Sequence, residues 1–134
     1  MNQADVIEIL TELCEWKPLQ HVNSSRAVLF NPATAVDPDY LEWWKPVGAS
    51  VELEVDDLPP ISTDETAVFT LVVPAMKAHG YRILVGDQLS KTNLYEASFW
   101  RPAQLGGTEF KGESESPAEA ICLAALAMIR GRVQ

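Results

Sequence analysis

The chain has 134 residues, with 10 Lys and Arg against 19 Asp and Glu, a net charge of -9. That length suits one domain able to bury a core without disulfide or metal staples. The acidic excess argues against a protein that neutralises nucleic-acid phosphates or lies on an anionic membrane, and the sequence contains no apolar run long enough to cross a bilayer.

The N-terminus carries Asp5, Glu8, Glu12 and Glu15, the wrong charge for a secretory leader. Val6, Ile7, Leu10, Leu13 and Cys14 recur at helical spacing opposite those acids. The pattern predicts an amphipathic helix over roughly residues 3–15, closed by Pro18. Residues 18–61 read as an irregular, acidic, Trp-containing segment. Within it, residues 27–30 suit a short strand ended by Asn31-Pro32. Val51, Leu53 and Val55 alternate with Glu52, Glu54 and Asp56, which predicts a strand with one acidic, wet face.

Ser62 and Glu65 have capping-box spacing and predict the start of a second helix. Pro74 inside it predicts a kink or an early end, and Gly80 a left-handed stop. Tyr81, Ile83 and Val85, then residues 95–101, then residues 108–111, predict three strands in an antiparallel meander. The Gly106-Gly107 pair between the last two reads as a turn, since it lacks the strand-loop-helix context of a phosphate cradle. Ser116, Pro117 and Glu119 announce a final helix with a capping box and Pro at its first position. Residues 120–129 contain no charge, so this helix is expected to be buried, with Arg130 and Gly131 at its end. The expected architecture is α+β: one domain over residues 1–134, with an antiparallel β-sheet flanked by helices, an α/β sandwich, and a long buried C-terminal helix.

Three stretches then bring a family into view. They are Ser62-Thr63-Asp64 before a helix ending in Lys77-Ala78-His79-Gly80-Tyr81, the strand Tyr95-Glu96-Ala97-Ser98-Phe99, and the run from Ser116-Pro117-Ala118-Glu119 through Ala120-Ile121 to Ala124-Ala125-Leu126. Together they resemble the phage ABA sandwich domain family, small proteins of tailed phages and prophages. Cys14-Glu15-Trp16 stands where that family has a Met-Gly-Trp-like triplet. The resemblance covers residues 62–130, is weaker over residues 1–17 and does not extend to 18–61. It implies a sheet flanked by helices, with no generally assigned activity.

No catalytic, cofactor or metal constellation emerges. His21 and His79 have no Cys or His partner at ligand spacing, and Cys14 and Cys122 lie on apolar faces, which reads as two buried thiols in a reducing compartment. Tyr40, Trp43 and Trp44 form an aromatic group where a partner or ligand surface competes with simple pinning to the core. Glu52, Glu54, Asp56 and Asp57 form an acidic row, readable as a solvated face or as a mimic of a nucleic-acid backbone. The expected function is a non-catalytic phage or prophage accessory protein, without a cofactor, in the cytoplasm of the bacterial host. It would bind a host or phage protein or a small ligand, with no direct contact to nucleic acid or membrane. The alternative is an acidic counter-defence inhibitor occupying a nucleic-acid-binding host protein; an enzyme using His79 with a carboxylate is a third reading. The charge is uneven: residues 37–65 hold nine acids and one base, whereas residues 66–134 hold six acids and seven bases. A local pocket using Arg82, Lys91 or Arg101 is therefore still open to a phosphate.

Overall fold

A computed structural model describes residues 1–31, 43–47, 53–54, 58–87, 94–101 and 109–131. The chain divides into two compact units: Met1–Cys14 with Pro59–Gln134, and Glu15–Leu58.

In the first unit, α1 (Gln3–Glu12) begins at a capping box that the sequence reading did not foresee. Asn2 Oδ1 accepts from Asp5 N at 2.9 Å, and Asn2 N donates back to Asp5 Oδ2 at 3.4 Å. The helix is shorter than residues 3–15 because Cys14 N already turns back to Ile9 O and Glu15 takes a left-handed φ of 62°.

α2 (Glu65–Ala78) starts later than the Ser62 box implies. Pro60 O accepts from both Thr63 N and Asp64 N, so a turn occupies Ser62 and Thr63. Asp64 is the N-cap, and its Oδ1 takes Thr66 N at 2.8 Å and Ala67 N at 3.4 Å. The helix continues through Pro74 rather than ending there. Pro74 is exposed, so the missing donor lies on the solvent side, where a carbonyl is not stranded in the core. Gly80, at φ 88°, stops the helix as expected.

The meander is present: β4 (Arg82–Asp87), β5 (Tyr95–Trp100) and β6 (Phe110–Ser114) form an antiparallel sheet in that order. Register pairs Leu84 with Ser98 and Ser98 with Lys111, so these lie on one face with Arg82 and Trp100. The other face carries Ile83, Phe99, Ala97, Phe110 and Gly112. α3 (Pro117–Gly131) packs on β6 and β5, and also touches α1 and α2. Covered from several directions, it buries Ala118, Ala120, Ile121, Cys122, Ala124, Ala125, Leu126, Met128 and Ile129. The uncharged run therefore serves as the central core element of an α+β fold. Ser116 Oγ accepts from Glu119 N at 3.4 Å, but the Glu119 carboxylate does not close the expected box. It accepts instead from Ser114 Oγ at 2.8 Å, while Ser116 N donates to the same Ser114 hydroxyl.

The second unit contains β1 (Lys17–His21), β2 (Ala27–Phe30) and β3 (Trp44–Pro46) in the antiparallel order β2-β1-β3. Only β2 was expected here. Pro18 lies within β1 instead of merely closing a helix, and its carbonyl accepts from Val47 N. The strand expected at residues 51–56 lies largely outside the described residues. Of its described members, Glu54 forms an isolated parallel bridge with Val28.

Candidate functional site

The aromatic residues singled out by type are built into the small sheet. The turn joining β1 to β2 is tied by His21 N to Arg26 O at 2.9 Å and by Ser24 N to His21 O at 3.3 Å. Asn23 N donates to His21 Nδ1 at 3.1 Å, which fixes the imidazole ring. Across the ladder His21 pairs with Trp44, and Val22 N donates to Trp43 O at 2.8 Å. Both indoles therefore meet the imidazole. Trp43 lies nearly parallel to it, with centroids 6.4 Å apart and 11° between planes. Trp44 meets it edge-on at 5.1 Å and 88°. Trp44 is partly covered, whereas Trp43 is 53% exposed beside the exposed Val22. The result is a large apolar plane held in place yet open to solvent.

His21 is the member that sequence reasoning missed. It belongs to the cluster only through strand pairing, which the sequence does not display. Tyr40, Glu52, Asp56 and Asp57 lie outside the described residues. Glu54 is exposed, in keeping with a wet face, and its carboxylate is 2.9 Å from Arg26 Nε. Its backbone N–H donates to Ala27 O, so residue 54 also covers part of the outer edge of β2.

In the first unit, Tyr81 follows Gly80 and enters β4. It is buried, its N–H donates to Met76 O at 3.1 Å, and Phe110 packs edge-on to its ring at 6.1 Å. A cavity of about 390 Å³ is lined by Lys77, Tyr81, Arg82 and Ile83. The Arg101 guanidinium lies over the Tyr81 ring, 4.6 Å from its centroid. Its Nε is buried without a hydrogen-bond partner. Arg82 thus lines the cavity and Arg101 lies against one of its lining residues, while Lys91 is outside the described residues.

The two thiols are both free. Cys14 Sγ donates to Leu71 O at 3.5 Å and Cys122 Sγ to Ile61 O at 3.2 Å. Burial pushes Cys14 up to about 11. Cys122 is pushed up to about 12, by burial first and then by the charges of Glu119 and Cys14. Such thiols are poor nucleophiles at neutral pH. His79 sits at the C-cap of α2, with its backbone N–H bonded to α2 carbonyls. Among the described residues, no three His, Cys, Asp or Glu converge to hold a metal ion, and no helix is long and apolar enough to cross a membrane.

No protein-family model, curated protein or solved structure matches this chain.

Proposed function

We propose that this is a non-catalytic binding protein that grips a partner protein through the aromatic surface of its small three-stranded sheet. The observation that carries this reading is Trp43, 53% exposed and stacked on an imidazole that the turn holds in place. An exposed tryptophan with its neighbours already ordered loses little side-chain entropy on contact, and such residues dominate binding energy at protein interfaces. The resemblance of residues 62–130 to the phage ABA sandwich family points to a phage or prophage accessory role in the cytoplasm of the bacterial host. Glu15 supports that comparison at one position: it stands where the family triplet carries glycine, and its φ of 62° is a region that glycine enters freely.

The acidic-inhibitor alternative has less to stand on. Its one described acid, Glu54, is paired with Arg26, so part of that charge is neutralised within the unit.

The test is capture from bacterial lysate by immobilised protein, with Trp43→Ala beside the natural sequence. The expected result is a discrete captured protein whose binding weakens by about thirtyfold or more in the variant, the range of an interface tryptophan, and survives raised salt. Equal capture by the variant refutes the reading. Capture that vanishes with salt and with Glu54→Gln instead supports the acidic alternative.

A further inference from the structure

We propose that the cavity at the junction of α2 and β4 is a binding site for a small phosphate-bearing molecule, with Lys77 and Arg82 as the anion-binding side chains. This does not rest on the partner surface proposed above, since it concerns the other unit of the chain.

Three observations converge on it. The first is charge. Two exposed cationic side chains line one cavity in a protein whose net charge is -9, and no carboxylate among the described residues pairs with either. Elsewhere among the described residues Arg26, Lys111 and Arg130 each meet a carboxylate within 4 Å, while Lys17, Lys45 and Arg101 do not.

The second is the local accounting of α2. A lysine in a last helical turn often serves the terminal carbonyls. Here backbone groups already do so: His79 N donates to Ala75 O and Met76 O, Gly80 N to Lys77 O, and Tyr81 N to Met76 O. The Lys77 ammonium is not needed for the cap and is free to face a ligand.

The third is Arg101. Its guanidinium carbon lies over the ring of Tyr81, a lining residue, and its buried Nε lacks a partner. A buried, unpaired guanidinium N–H is costly, and the natural way to satisfy it is an anionic oxygen. Arg101 thus adds positive potential beside Tyr81.

Shape selects the ligand class. A volume of about 390 Å³ lies in the lower part of the range for small-molecule sites. Tyr81 and Ile83 add apolar residues to a lining that also holds the two cations. That combination suits a phosphomonoester bearing a compact organic group better than a bare inorganic ion. The Arg82 fork provides bidentate contact to phosphate, and Lys77 adds a point charge.

The experiment is titration calorimetry of the full chain, in a phosphate- and sulfate-free buffer at constant ionic strength. The probes are phenyl phosphate, inorganic phosphate and citrate. Phenyl phosphate is expected to bind, inorganic phosphate to bind more weakly at the same site, and citrate not to compete. Lys77→Gln and Arg82→Gln should each weaken phenyl phosphate by about tenfold or more. Both side chains are exposed, so the variants are expected to keep the far-ultraviolet spectrum of the natural protein. No heat from any probe at millimolar concentration overturns the proposal. So does binding that both substitutions leave unchanged, since it then lies elsewhere. Preference for citrate over phenyl phosphate also overturns it, in favour of a carboxylate ligand. Trp43→Ala should bind phenyl phosphate normally, which separates this result from the fate of the partner surface.

Discussion

Replacing Gly112 by alanine should be among the most damaging single-methyl changes available in this protein. Gly112 lies in β6 opposite Ala97 of β5, on the sheet face that α3 covers. From the helix side, Ala120 and Ala124 project one turn apart and are fully buried, as is Ala97. Small residues on both surfaces let backbone approach backbone. A methyl group at Gly112 would overlap the Ala120 carbonyl oxygen. It would also lie 2.6 Å from Ala124 N and 2.8 Å from Leu123 Cβ. None of these atoms is the end of a flexible side chain, so no rotamer change relieves the contact. Restoring a separation of about 3.5 Å requires α3 to retreat by about 1 Å. Nine buried residues of the core would move with it. Overpacking typically costs about 1–3 kcal/mol, and a shift of the central helix belongs at the upper end. At about 3–5 °C per kcal/mol for a chain of this length, the melting temperature should fall by about 10 °C. Ellipticity at 222 nm is the right signal, because the described helices all belong to this unit. Gly86→Ala is the control: it is exposed on β4, with no atom within 4 Å of an added Cβ, and should change stability by less than about 1 kcal/mol. A Gly112→Ala protein within about 0.5 kcal/mol of the natural one would refute the close docking of α3 on β6.

Two further outcomes follow from local chemistry. Asp64→Ala should cost about 1 kcal/mol in urea unfolding, the value of a lost N-cap, whereas Ser62→Ala should cost much less; the reverse ranking would show that the helix starts where the sequence alone suggests. The thiols should react with an aromatic disulfide reagent at pH 8 only after unfolding, since burial raises Cys14 to about 11 and Cys122 to about 12. Because the folded state holds these protons while the unfolded thiols lose theirs near 9, stability is untouched below that pH and falls as pH rises from about 9 towards 12. Cys122→Ala should make the decline in urea midpoint above pH 9 shallower, and an unchanged slope would exclude the thiol as a contributor.

The first unit was legible wherever the signal was local. Alternation over residues 95–100, a left-handed glycine at position 80 and the uncharged run of α3 each specify their element with little help from elsewhere. The start of α2 was misplaced because Ser62, Thr63 and Asp64 are all competent caps. The choice is made by Pro60, whose carbonyl draws residues 63 and 64 into a turn. Tertiary pairing also hid the second unit. β1 contains Pro18, which argues against a strand, and β3 is three residues long, Trp44–Pro46, including another proline. Neither has a periodicity to read. Their pairing brings His21 to Trp43 and Trp44, so residue type revealed two members of the aromatic group and concealed the third.

The uneven charge acts on different length scales at the proposed phosphate site. A net charge of -9 repels an approaching anion only over distances that the solution leaves unscreened. At physiological salt that distance is about 8 Å, so Lys77, Arg82 and the neighbouring Arg101 set the sign of the potential felt inside the cavity. When salt is lowered, the screening length grows towards about 30 Å and the acidic remainder of the chain begins to count. Attraction by the local cations and repulsion by the chain's excess acids then strengthen together. The affinity for phenyl phosphate should therefore rise less on dilution of salt than two isolated cations would produce, and association should slow relative to that expectation. A steep rise in affinity at low salt would mean that the acids do not reach the cavity electrostatically. In that case the excess carboxylates in residues 37–65 should have little influence on which anions enter the cavity.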